Sequence, residues 1–359
     1  MSKEKLFLDI HVIQTLPPSN INRDDTGSPK TAVYGGVRRA RVSSQSGKKA
    51  MRDYFKENGN LSNVGVRSLD VVSFLAEKIR ELKPELSMED AVNKSVKTFN
   101  AAGISTTKDN RVKALFFLGK EQADNLAKEA TKDNLDKKAL QEILNSNIAV
   151  DIALFGRMVA DDASLNEDAS SQIAHAISTH GVQSEFDFYT ALDDLSKEDQ
   201  SGAGMLGTIE YNSSTLYRYG NVALHEFYHQ LNENKSQTIE ATKLFVEAFL
   251  NSLPTGKMNS FANQTVPSSV VISLRKDRPV SFVSAFETAI KTKLSQEGYV
   301  DESIEAMFKE HKNVQRFVEK PEISFYLNLS EGHSLEGAKE ELSLSDLLND
   351  LGEELDNRL

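Results

Sequence analysis

The order of patterned segments predicts an α+β fold, with one sheet carrying helices and a helical insertion breaking into it. Three observations lead there. Leu6, Leu8, Ile10 and Val12 alternate with Phe7, Asp9 and His11, the period of a strand with one buried face. Residues 70–144 are rich in helical periodicity and Lys/Glu pairs. Strand-like sequence then returns from residue 148 and is interleaved with helices up to a last strand at 323–329. Strand, helix, strands, helix and strand around an insertion fit a ferredoxin-like or RNA-recognition-motif sheet.

His11, inside the first strand, is expected to be a satisfied structural histidine. A loop follows through Pro17-Pro18-Ser19-Asn20 and Asn22-Arg23-Asp24-Asp25. A second extended piece, 32–42, bends at Gly35-Gly36. Ser43-Ser44 offers a helix N-cap, and a helix is expected from Gln45 to about Asn58. Ala50, Met51, Tyr54 and Phe55 form its apolar stripe, with Lys48, Lys49, Arg52 and Lys56 opposite. Gly47 costs such a helix roughly 1 kcal/mol against Ala. After the insertion, strands are expected at 148–158, 172–182, 216–224, 270–274 and 323–329, and helices at 238–253, 283–294 and 302–317, with a short one near the end. Residues 193–214 are too polar and Gly-rich for core and predict a protruding hairpin or loop with Met205 and Leu206 near its middle.

With 359 residues, the chain exceeds a typical domain and is long enough to bury a large core. It contains no Cys, which excludes disulfides, thiol catalysis and Cys-based zinc or iron–sulfur sites. Asp9 and His11 interrupt what would be a signal-peptide apolar core, and no run approaches the ~18 apolar residues of a membrane span, so a cytoplasmic location without a membrane partner is expected. The net charge of -11 argues against nucleic acid, but the distribution does not. Residues 1–60 carry a net +5, and residues 26–52 hold Lys30, Arg38, Arg39, Arg41, Lys48, Lys49 and Arg52 with no acid between them. That is a local positive field. The start of the helix at Ser43 to Gln45, with Lys48 and Arg52, would form a sugar-phosphate cradle.

Two motifs suggest enzymes. His225-Glu226-Phe227-Tyr228-His229 fits H-E-x-x-H, in which two His one helical turn apart bind zinc and the Glu acts as base. The extended form then needs Gly and His where Asn232 and Lys235 stand, leaving Glu240 or Glu247 as third ligand. A zinc-dependent hydrolase on His225 and His229 is therefore the alternative reading. Gly202-Ala203-Gly204-Met205-Leu206-Gly207 spells G-x-G-x-x-G, but it leaves a polar loop and enters an extended segment, so it is no dinucleotide fingerprint. The pairs Asp24-Asp25, Asp161-Asp162 and Asp193-Asp194 are read as solvated loop acids.

Asn22-Arg23-Asp24-Asp25, then Tyr34-Gly35-Gly36-Val37-Arg38-Arg39-Ala40-Arg41-Val42-Ser43-Ser44-Gln45-Ser46 and Lys48-Lys49-Ala50-Met51-Arg52, resemble the backbone subunit of the type I-E CRISPR Cascade complex, the CasC family. The resemblance continues at 150–158, 173–180, 187–194, 206–208 and 217–219, with a shorter echo at 284–293. It implies an RNA-recognition-like palm (1–60 and 145–359), helical fingers (61–144) and a thumb loop (193–214). Copies would polymerise head to tail along a CRISPR RNA, a heterologous contact that does not close. Arg23, Arg39, Arg41, Ser43, Gln45, Lys48, Lys49 and Arg52 would hold the guide. Met158, Phe188, Tyr189, Met205 and Leu206 would separate and flip bases. Lys30, Lys291 and Lys293 would follow the target DNA. The implied partners are other copies, large and small subunits, guide-end caps and, indirectly, a helicase-nuclease. No cofactor and no catalytic residue are expected; if the chain did cut RNA, Asp24 or Asp25 would be the candidates. Gly47 and the pair His225/His229 depart from the family pattern.

Overall fold

In chain order the elements are β1 (Phe7–Ser19), β2 (Thr31–Tyr34), β3 (Val37–Val42), α1 (Ser44–Asn58), β4 (Val66–Ser68), α2 (Val71–Leu82), α3 (Met88–Ala102), β5 (Phe116–Leu118), α4 (Lys120–Ala130) and α5 (Lys137–Leu144). They continue as α6 (Val150–Phe155), β6 (Ser171–Ile173), β7 (Ala176–Ser178), β8 (Glu185–Ala191), β9 (Met205–Ala223), α7 (Leu224–Gln230), α8 (Lys235–Asn251), α9 (Met258–Phe261), β10 (Ser269–Arg275), α10 (Val300–Val314), β11 (Ile323–Asn328), β12 (Lys339–Glu340) and α11 (Leu344–Arg358). The computed structural model describes residues 4–59, 63–132, 134–191, 205–292 and 298–359.

One mixed sheet organises the chain, in the order β12-β11-β10-β1-β9-β7-β3-β2, with β6 and β8 also paired to β9. β1 pairs antiparallel with β9 and β10, while β11 and β12 run parallel. β2 and β3 close on Gly35-Gly36, whose φ values of 58° and 74° are those a two-residue type I′ turn requires.

The alternation along β1 sorts its side chains as the sequence predicts, but both faces are buried. Leu8, Ile10 and Val12 pack on Met51 and Phe55 of α1, Phe245 and Phe249 of α8 and Leu351 of α11. On the other face, Ile13 joins Tyr217, Phe282, Phe286 and Met307. The expected single buried face becomes two because residues 280–290 and 300–314 cover the second side. His11 lies there, stacked on Phe282 at 3.6 Å between ring centroids, with Nδ1 2.9 Å from the Tyr217 hydroxyl. Burial holds its pKa well below the usual histidine value, so it is neutral and structural.

The inserted elements bury their own core of Val72, Leu75, Ile79, Phe99, Leu126 and Leu140. Three expected elements differ. The strand at 148–158 is instead α6, ended by Gly156 at φ 78°; a short apolar run cannot distinguish a buried strand from a buried helix. Of the helix expected at 283–294, the described residues 283–292 hold a single 3-10 turn, Val283–Phe286, after which the Ile290 N–H donates to the Thr179 carbonyl. The strand at 172–182 splits into β6 and β7. Of the expected loop 193–214, residues 205–214 belong to β9 and pair in part with β8; residues 192–204 lie outside the described residues.

Candidate nucleic-acid interface

Ser44, Gln45, Lys48, Lys49 and Arg52 fall at helical spacing on one face of α1. That face forms one wall of a groove of about 560 Å³, whose other walls are Arg67 and Phe117 of the insertion and residues 155–158 and 166–169. Lys48 lies half-buried with Nζ 5.7 Å from the Phe155 ring centroid. Burial, and then the nearby Arg67, hold its pKa below the usual lysine value. Two cations so placed favour an anion between them. Lys49 points outward, with Nζ 2.6 and 2.5 Å from the Asp53 carboxylate oxygens. Met158, 82% exposed, stands on the rim.

Arg52 lines the same groove but is not free. Its Nε lies 3.4 Å from Asp151 Oδ2, and its guanidinium stacks 4.4 Å from the Phe117 centroid. Asp151 Oδ1 accepts from the Gly65 N–H at 2.7 Å, so this pair ties α1 to the root of the insertion. Arg52, expected to hold the guide, thus lies at the groove floor in an ion pair with Asp151.

Arg39 is corrected more strongly. It is fully buried, and its guanidinium donates to the carbonyls of Tyr34, Ser178, Phe286 and Glu287. It pins the β2–β3 turn under residues 286–287 and presents nothing to a ligand. Arg41, on the same strand, remains accessible, donating from Nε to the Thr31 carbonyl, with Nη1 3.0 Å from His175 Nδ1.

Ser43 occupies the N-cap position, but its side chain makes no capping bond. Its own N–H donates to Asn22 Oδ1 at 2.8 Å, which brings the loop carrying the exposed Arg23 to the start of α1. In that loop Asp24 Oδ1 accepts from Thr26 N, Thr26 Oγ1 and Ser28 N. These bonds occupy the carboxylate oxygen with the turn.

β8 and β9 pair from Glu185↔Tyr211 to Ala191↔Met205. Phe186, Phe188 and Leu206 share one face and are all exposed, Phe188 by 65%. Tyr189 lies on the opposite face, directly across from Gly207; a Cβ at 207 would come within 2.3 Å of its ring. Phe188 and Tyr189, both expected to separate and flip bases, therefore sit on opposite faces of the arm. Met205 begins β9. Lys30 pairs across from Arg41, and Lys291 is exposed. Lys293 lies outside the described residues.

The H-E-x-x-H motif forms the seven-residue α7. His225 Nδ1 lies 3.0 Å from the Leu6 carbonyl oxygen, with the ring edge-on to Phe7, while His229 is exposed and 3.9 Å from Glu233. Of the acids named as a third ligand, Glu247 accepts from the Tyr54 hydroxyl at 2.7 Å. Among the described residues no three His, Asp or Glu side chains gather as a metal set, and His225 and His229 have no third ligand among them. Charge and periodicity did not single out Arg67, Phe117 or Phe155, because only the folded insertion and α6 bring them to α1.

The family model described as CT1975-like protein matches residues 8–353. Among solved structures, a chain of "CRISPR RNA-guided surveillance complex, pre-nicking" is 33% identical, with a TM-score of 0.85, 97% of this chain covered and 100% of that one. A chain of "CRISPR RNA-guided surveillance complex" is 29% identical, with a TM-score of 0.74 and 97% and 99% covered. No curated protein matches. Among the described residues no helix is long and apolar enough to cross a membrane.

Proposed function

Since this chain belongs to the CT1975-like protein family, we propose that it is a non-catalytic, guide-binding backbone subunit of a type I-E Cascade surveillance complex, acting in the cytoplasm. Copies polymerise head to tail along a CRISPR RNA and present it for pairing with target DNA. The sheet with its flanking helices is an RNA-recognition-like palm (1–60 and 145–359), the insertion supplies fingers (61–144), and the β8–β9 arm is the base of a thumb (193–214). Large and small subunits, guide-end caps and a recruited helicase-nuclease complete the assembly.

The observation that carries this reading is the groove in which Lys48 and Arg67 face Phe155 and the exposed Met158. Its cations suit phosphates of any sequence, and its apolar rim suits the faces of bases. A guide must be held without regard to sequence, leaving base pairing to read the target. The test is binding of guide-length single-stranded RNA by the wild-type chain and by the double variant Lys48→Glu, Arg67→Glu. The reading expects the double variant to bind at least about tenfold more weakly and with a shallower salt slope. Equal affinities would overturn it.

A further inference from the structure

Lys30 and Arg41 face each other where the β2–β3 ladder begins. Thr31 pairs with Ala40, and at the next position the Arg41 N–H donates to the Lys30 carbonyl at 2.9 Å. Residues directly opposite on an antiparallel ladder project to the same side, where like charges repel. A third basic group joins them. His175 lies in the two-residue break between β6 and β7, with Nδ1 3.0 Å from Arg41 Nη1. A guanidinium only donates, so Nδ1 accepts and the exposed ring's own proton is on Nε2.

The charges acting on His175 are Arg41 from β3 and Lys30 from the lead into β2, both positive. Burial first, then these two, hold its pKa below the ordinary histidine value. Lys30 and Arg41 also line a concavity with Asn22, Asn212 and Ser214, which add neutral donors. The side-chain-uncapped N-terminus of the fifteen-residue α1 begins three residues after Arg41. This concavity shares no lining residue with the Lys48 groove. Lys30 and Arg41, held this close, repel each other and keep His175 from adding a third positive charge until an anion is shared between them.

We propose that Lys30, Arg41 and His175 bind one phosphate of the RNA strand, and that His175 is protonated in the complex. This rests on the RNA-binding reading above and adds a site and a pH dependence to it. A bound phosphate reverses the field at the imidazole, so binding takes up a proton. Affinity then rises as pH falls from 8 to 6, by about tenfold for each unit by which the phosphate raises the ring's pKa. Lys30, expected along the path of target DNA, acts here on the guide.

Two measurements test this on the full chain. With histidine Cε1 labelled by ¹³C, the His175 ring is titrated in chloride and in sulfate, a tetrahedral anion of constant charge over this range, at matched ionic strength. Sulfate is expected to raise its pKa, and an unmoved titration would overturn the proposal. RNA affinity is then measured from pH 6 to 8 for wild type and His175→Gln. The wild-type slope is expected to flatten in the variant. RNA binding with the same slope in both would sink the His175 site while leaving the RNA reading intact. No RNA binding at any pH, with sulfate still raising the His175 pKa, would leave the anion site standing and remove the RNA reading.

Discussion

Phe188 and Tyr189 are neighbours in sequence and lie on opposite faces of the β8–β9 arm: Phe188 projects with Phe186 and Leu206 into solvent, whereas Tyr189 covers Gly207. The period of two along a strand makes the division unavoidable. Phe188→Ala is therefore expected to weaken RNA binding by about 1–3 kcal/mol, the usual worth of a base-stacking ring, with little change in melting temperature. Gly207→Ala should instead lower the melting temperature, because its methyl would meet the Tyr189 ring. Affinity and melting curves for both variants check the assignment.

Arg52 and Lys48 share one helix face yet should respond in opposite ways. Arg52→Ala leaves Asp151 buried without its partner, at a cost of about 3–5 kcal/mol seen in urea denaturation. Lys48→Glu should leave stability within about 0.5 kcal/mol and act on RNA binding alone.

Arg39→Lys is expected to destabilise the chain by at least about 2 kcal/mol. A lysine cannot reproduce the planar fork that reaches Tyr34, Ser178, Phe286 and Glu287, so buried carbonyls lose their donors. Denaturant midpoints of wild type and variant, with RNA affinity of the folded variant unchanged, would meet this expectation.

Asp9 should make stability pH-dependent. Burial pushes its carboxyl up to about 7, against hydrogen bonds from the Tyr219 hydroxyl and the Val280 N–H. A folded-state pKa above the unfolded one means that the native chain holds the extra proton. The stabilisation is complete below about pH 4 and is lost as pH rises through 7. Between pH 5 and 8 the wild type should lose a few kcal/mol that Asp9→Asn does not, as measured by unfolding at both pH values.

The alternation of β1 and the stripe of α1 were legible because each depends only on a local period. Arg39 was not: alternation places it with Arg41 on one face of β3, and only the carbonyls of Phe286 and Glu287, nearly 250 residues away in sequence, decide that it is covered. The apolar run at 148–158 satisfied strand and helix alike, and packing against the sheet settled it as α6. The groove was half legible. Its α1 wall showed in the basic spacing, whereas Arg67 and Phe117 reach it only through the fold of the insertion.

The most direct test of the central claim is the affinity for guide-length single-stranded RNA across a salt series, wild type beside Lys48→Glu, Arg67→Glu. A guide-binding subunit should bind sequences indiscriminately, weaken steeply with salt, and lose at least about tenfold in the variant. Salt-insensitive binding, or a variant that binds as tightly as wild type, would contradict it.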